Sequence, residues 1–158
     1  MVHLVRPDAR MLGAARDGDE ALASALGHAV VPGWATFRGA LQSARGSAWG
    51  TRFLVTGDPP ELVGWGGFKG APRRGVVELG YEIAESHRGR GLATAAARAM
   101  LVEAFANPRV IAVIAHTMPE QSASTRVLEK AGFRREAQVE QAGTTVWRFR
   151  IERGEERR

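Results

Sequence analysis

The chain has 158 residues, 44% of them hydrophobic and 25% charged, which suits one globular domain with a core that needs no covalent staples. It contains no cysteine, so a disulfide scaffold, a thiolate zinc site and a cysteine nucleophile are excluded. The net charge of +5 invites an anionic partner, but the arginines are scattered along the chain, so neither nucleic acid nor a membrane surface is the expected partner.

No apolar run approaches the roughly 18 residues of a membrane helix, and the first residues lack a basic-then-apolar signal, so a cytoplasmic protein is expected. Residues 3–5 form a short candidate strand. Pro7 permits a helix start, and residues 8–26 carry helical spacing interrupted by Gly13 and Gly18. A weaker helix is expected over 35–44, after the Pro32-Gly33 turn. Residues 49–55 alternate as a strand; Asp58-Pro59-Pro60 turns the chain, and 61–68 form the next strand, weakened by Gly64, Gly66 and Gly67. Residues 76–83 read as a strand and the alanine-rich stretch 92–105 as a helix. The continuous apolar run 110–115 suits a strand buried on both faces. A helix over 122–131 aligns Ala123, Val127, Leu128 and Ala131 along one side and stops at Gly132. Strands over 133–139 and 144–151 join at Ala142-Gly143. No repeat or linker interrupts this order, so residues 1–152 are read as one domain and the mixed-charge residues 153–158 as a solvated tail. The order predicts an α/β (α+β) domain, a mixed sheet with helices on both faces.

The most informative stretch is His87-Arg88-Gly89-Arg90-Gly91-Leu92-Ala93, between the 76–83 strand and the following helix. Two glycines at a strand-to-helix turn let backbone approach a bulky anion. First-turn N–H groups and the positive helix end then point at it. A phosphorylated ligand is the expectation. Arg88 and Arg90 either add charge-assisted contacts to phosphate or are ordinary surface cations.

Arg88-Gly89-Arg90-Gly91-Leu92-Ala93 resembles the Arg/Gln-x-x-Gly-x-Gly/Ala acyl-CoA signature of the GNAT N-acetyltransferase superfamily. The preceding Leu79-Gly80-Tyr81-Glu82-Ile83-Ala84 is similar to the strand that leads into that turn. Pro119-Glu120-Gln121-Ser122-Ala123-Ser124 resembles the Asn-x-x-Ser element of the ribosomal-protein-type (RimJ/RimL-like) branch. Val127-Leu128-Glu129-Lys130-Ala131-Gly132-Phe133 matches the helix-end signature, so the likeness covers residues 76–133. It implies a GNAT-like, mostly antiparallel seven-stranded sheet, splayed between the strands 76–84 and 110–115. Acetyl-CoA is the implied cosubstrate, with no metal. By the same resemblance the pantetheine lies beside Tyr81 and Ile83. The diphosphate sits on Arg88, Gly89, Arg90, Gly91, Leu92, Ala93 and Thr94. Gln121 takes the place of the usual Asn, and Ser124 lies near the sulfur, where it could protonate the leaving thiolate. An amide near Ile83 would polarise the thioester carbonyl. The implied reaction is direct attack of a primary amine, on a small molecule or a protein N-terminus. The resemblance also admits a homodimer.

Leu128 stands where many relatives carry a catalytic tyrosine, and Ala95 where they often carry Glu. With Gln121, these departures motivate an alternative, a non-catalytic acyl-CoA-binding module. Tyr81, the one tyrosine of the chain, is read as packing. As proton acceptor Glu82 is preferred for its nearness to the expected thioester, with Glu78 second; alternation puts both on one strand face. Burial would raise either toward neutrality, whereas a solvent-facing carboxylate would do nothing. His116 and His28 are outside candidates, and His87 is expected to order its loop. Trp34 and Phe37 are expected to wall the acceptor pocket, with Trp49, Trp65 and Trp147 in the core.

Overall fold

The computed structural model describes residues 1–36 and 38–157. In chain order these form β1 (Val2–Val5), α1 (Ala9–Asp17), α2 (Asp19–Leu26), β2 (Ala29–Val30), α3 (Arg38–Leu41), β3 (Thr51–Thr56), β4 (Glu61–Phe68), β5 (Val76–Ile83), α4 (Leu92–Ala106), β6 (Ala112–Thr117), α5 (Ala123–Lys130), β7 (Arg134–Gln141) and β8 (Thr144–Glu152). The sheet order is β1-β3-β4-β5-β6-β8-β7, with β2 lying off this path against β4. That makes eight strands instead of seven; the two residues of β2 are too few to leave a periodic trace. Pairing is antiparallel except for β2–β4 and β5–β6.

Local chemistry sets most of the helix ends. Asp8 caps α1 by accepting from the Met11 N–H at 2.8 Å. The break between α1 and α2 falls at Gly18, whose φ of 139° ends one helix and opens the next, while Gly13 stays helical. α5 opens with a reciprocal cap between Ser122 and Thr125. Alternation along β3 divides the interior in two. Phe53 and Val55 pack with Leu12, Leu22 and Trp34 beneath α1 and α2, whereas Leu54 joins Leu79, Met100, Leu101 and Leu128 beneath α4 and α5. Helices therefore cover both faces of the sheet.

β5 and β6 pair at three positions only, Val76↔Ala112, Val77↔Val113 and Glu78↔Ile114. Beyond them β5 runs on to Ile83 beside β4, and β6 runs on to Thr117 beside β8. The sheet parts there. On the other side, the glycines of β4 admit β5 at close range: a Cβ on Gly64 would sit 2.1 Å from the Glu82 carbonyl oxygen. These glycines fix the position of β5, a role beyond the weakening expected from sequence.

Within the expected solvated tail, Arg153 and Glu155 are instead docked. Arg153 donates to the carbonyls of Val110, Phe105 and Asn107, at 2.9, 3.0 and 2.6 Å, and its guanidinium lies 5.3 Å from the Phe105 ring centroid. Glu155 accepts from the Glu152 N–H and from Arg134. Arg153→Ala would leave three carbonyls without this donor, and is expected to destabilise the fold by about 2 kcal/mol in urea denaturation. A change within experimental error would show that water replaces the side chain.

No helix among the described residues is long and apolar enough to cross a membrane.

Candidate functional site

The turn between β5 and α4 makes an open cradle. Gly89 and Gly91 both have positive φ, 77° and 76°, and nothing lies within 4 Å of a Cβ built on either. Gly91 is the N-cap of α4, and no side chain caps that end. The first intrahelical bond runs from the Ala95 N–H to the Gly91 carbonyl, so the N–H groups of Leu92, Ala93 and Thr94 are left facing outward. A cavity of about 540 Å³ opens over them. Its cationic lining is Arg88 with Arg126 and Lys130 of α5, and Glu82 is the one carboxylate among its described residues. Arg126 and Lys130 escaped sequence reasoning, although their spacing of four on a short helix puts two cations on one face.

Arg88 is fixed by a bond from its Nε to the Ile83 carbonyl at 3.0 Å. Arg90 reaches back to the Ser86 carbonyl at 3.4 Å and does not line the cavity. His87 does line it, between the Ser86 hydroxyl at 2.8 Å and Glu61 at 3.5 Å. Gln121 lies outside both cavities; its Oε1 accepts from the Thr125 hydroxyl at 3.0 Å.

The parted strands supply a second set of donors. The Lys69 N–H bonds the Glu78 carbonyl and the Ala84 N–H bonds the Val63 carbonyl, so the even-numbered residues of β5 are those paired with β4. Alternation then turns the backbone of Leu79, Tyr81 and Ile83 toward the gap. An extended chain entering the gap would find strand-like partners there.

A larger cavity, about 620 Å³, lies on the other side of the gap. Tyr81, Glu82 and Ser124 line both cavities and mark their junction. Glu82 Oε1 accepts from the Trp65 indole N–H at 2.5 Å and from the Thr36 N–H at 2.8 Å, and its Oε2 accepts from the Thr36 hydroxyl. It thereby holds the 31–36 loop against β5. Burial pushes the Tyr81 phenol above its ordinary range, so it stays protonated at neutral pH. Ser124 is exposed near the start of α5, and Leu128, one turn further, is buried.

Glu78 sits deeper. Its Oε2 accepts from His116 Nδ1 and from Lys69 Nζ, each at 2.9 Å. Burial pushes its carboxyl up, but the bonds and charge of His116 and Lys69 outweigh burial and hold it below the usual carboxylate range. His116 lines the larger cavity. His28 lies outside both cavities, its Nδ1 3.0 Å from the Ala29 carbonyl.

Trp34 does not wall either cavity. It is fully buried in the core beneath α1 and α2, edge-on to Phe53, with its indole N–H donating to Asp19 at 2.9 Å. Thr36, two residues on, bonds the Glu82 carboxylate but lines neither cavity, while Phe37 lies outside the described residues. Trp65, expected in the core, packs against it beside Trp34 and also reaches the larger cavity and Glu82. Trp49 packs edge-on against Phe68, and Trp147 lies under Arg135 at 4.2 Å. Among the described residues no cluster of His, Asp and Glu is arranged to hold a metal ion.

Residues 8–134 match the model of the acetyltransferase (GNAT) domain. Two curated relatives come from Bacillus subtilis (strain 168). "Uncharacterized N-acetyltransferase YjdG" is 33% identical over 81 residues, 51% of this chain and 48% of that protein. "Probable N-acetyltransferase YjcK" is 40% identical over 66 residues, 40% of this chain and 36% of that protein. The matches thus span less than half the length of either relative. Among solved structures, aminoglycoside acetyltransferase AAC(6')-Ib in complex with coenzyme A and kanamycin superposes with a TM-score of 0.71 at 18% identity, covering 98% of this chain and 96% of that one. Ribosomal-protein-S5-alanine acetyltransferase from Vibrio fischeri gives 0.59 at 15%, covering 66% and 62%.

Proposed function

The chain belongs to the acetyltransferase (GNAT) domain family, and we propose that it transfers an acetyl group from acetyl-CoA to a primary amine. The observation that carries this reading is the conjunction of parted strands and an uncapped, glycine-led helix start, opening onto one junction. Acetyl-CoA would supply an acyl thioester, whose acetyl group passes to the amine as the thiol leaves.

The residues present fit that ligand. The N–H groups of Leu92, Ala93 and Thr94, with the open Gly89–Gly91 backbone, would take the diphosphate, and Arg88, Arg126 and Lys130 would answer its charge. The gap-facing backbone of Tyr81 and Ile83 would pair with the pantetheine arm, and a donor near Ile83 would meet developing charge on the carbonyl oxygen. Ser124, at the junction, is the candidate proton donor to sulfur. Glu82, with both oxygens already accepting, would hold the acceptor loop and attract an ammonium group.

We assign the acceptor to the amines of small molecules or peptide N-termini, and the chain to the ribosomal-protein-type branch on the strength of the 119–124 segment that ends in Ser124. The test is thiol release from acetyl-CoA across aminoglycosides, spermidine and N-terminal peptides. Release above background with one class supports the transferase. Background rates throughout, with CoA still bound, would leave a non-catalytic acyl-CoA module. Ser124→Ala is expected to slow turnover roughly 100-fold with CoA affinity unchanged. An unaltered rate would pass the proton-donor role to water.

A further inference from the structure

We infer that His116 takes the proton of the acceptor amine, and that Glu78 is its positioning residue. The inference rests on the acetyltransferase reading above and identifies which group at that site moves the proton.

The geometry begins with register. The last paired residues across the gap are Glu78 and Ile114, so His116 stands two residues past the point where β5 and β6 separate. The matching position on β5 is Gly80, which shares a face with Glu78 and Glu82. Gly80 leaves that face open: a Cβ there would meet nothing nearer than Lys69 Cε at 3.5 Å. His116 and Gly80 both line the larger cavity, so the imidazole faces space that an acceptor nitrogen can enter on its way to the gap.

The second step is the tautomer. An ionised carboxylate only accepts, so the 2.9 Å contact with Glu78 Oε2 requires the hydrogen on His116 Nδ1. In the neutral ring Nε2 is then the acceptor. The two side chains are 9% and 19% exposed, which shelters their bond from water. Glu78 is itself held by Lys69. Glu82, also on this face, already accepts three hydrogen bonds and is the less available proton acceptor.

The remaining charges around the ring are accounted for. Arg148, the cross-strand partner of His116 on β8, is engaged by Glu136 at 2.7 Å. Arg150, opposite Ile114, is engaged by Glu152 at 2.6 Å and by Glu136 at 3.8 Å. Ser124, which lines the same cavity from α5, is uncharged. In the step itself an ammonium N–H bond breaks and its electron pair stays on nitrogen. The proton bonds to Nε2, and the imidazolium formed is countered by the Glu78 carboxylate. Of the other histidines, His87 lines the opposite cavity, and His3 and His28 line neither.

The test has a readout that needs no acceptor. Nitrogen-15 NMR of the unliganded protein, with the His116 signal assigned by its loss in His116→Gln, should give the Nδ1–H tautomer for the neutral ring. Glu78→Ala should shift it toward Nε2–H. A wild-type ring already in the Nε2–H form overturns the proposal, because Nε2 then has no lone pair to offer. In thiol-release assays with acetyl-CoA and spermidine, an aminoglycoside or an alanyl peptide, His116→Gln should lose at least ~100-fold in kcat. Acetyl-CoA affinity should stay within twofold, and the lost rate should recover as pH rises. Glu78→Gln keeps a hydrogen-bond acceptor but removes the charge. It should lower kcat with KM unchanged and move the acidic limb of the rate profile to lower pH, which a purely structural role would not do. A His116→Gln enzyme within about threefold of wild type overturns the proposal and leaves the acetyltransferase standing. Background rates in the wild type, with every acceptor, would remove both.

Discussion

Gly91→Glu is expected to abolish CoA binding while leaving the fold intact. Gly91 has φ of 76°, so any side chain there adopts a left-handed backbone that costs roughly 1–2 kcal/mol. The space itself is open, with no atom within 4 Å of a built Cβ, so the fold meets no clash. What the side chain would enter is the cavity above the first-turn N–H groups of α4. A glutamate there would bring its own carboxylate to the donors proposed for the diphosphate and repel the ligand's charge. At least ~100-fold weaker binding by calorimetry is expected, from the lost charge-assisted bonds together with repulsion. Gly91→Ala separates the causes, since it carries the backbone strain without the carboxylate and should bind CoA far better than the glutamate variant. Higher salt should narrow the difference between the two. A folded Gly91→Glu protein with wild-type CoA affinity would end the anion-cradle assignment.

The cradle was readable because it is local. Its two glycines, the strand before them and the helix after them lie within one short run of sequence, and each follows from the conformational freedom of glycine and helix-end donors. β4 and β5 were likewise legible from composition, and the end of α5 from Gly132. What sequence did not show depends on contacts between distant segments. Trp34 was expected at the acceptor because of its place in the chain, but Asp19 and Phe53 draw it into the core. Thr36, Trp65 and Glu82 meet only when the 31–36 loop, β4 and β5 converge. His116 and Glu78 are 38 residues apart and become partners only at the parallel β5–β6 register. Arg153 was read as tail because its anchors, the carbonyls at and just beyond the end of α4, lie more than forty residues away.

The other large effect is expected at Gly66. A Cβ there would lie 2.3 Å from the Gly80 carbonyl oxygen and 2.8 Å from the Tyr81 Cα, with Met100 Cε at 3.0 Å. The first two are backbone atoms of β5 and cannot swing aside as a side chain could. Gly66→Val should therefore push β5 away from β4, costing about 3 kcal/mol or more in denaturant unfolding. The damage has a direction: β5 is the near wall of the gap, so its displacement moves Tyr81 and Glu82 toward β6 and narrows the opening. CoA binding should weaken together with stability. Gly80→Ala provides the contrast, since its added methyl meets only the flexible end of Lys69 at ordinary distance. That variant should keep wild-type stability and CoA affinity while placing bulk in the larger cavity, at the position matching His116. If Gly66→Val melted like the wild type, the close approach of β4 and β5 would not be what positions the gap. If Gly80→Ala lost CoA, the two cavities would not be separable in the way their linings indicate.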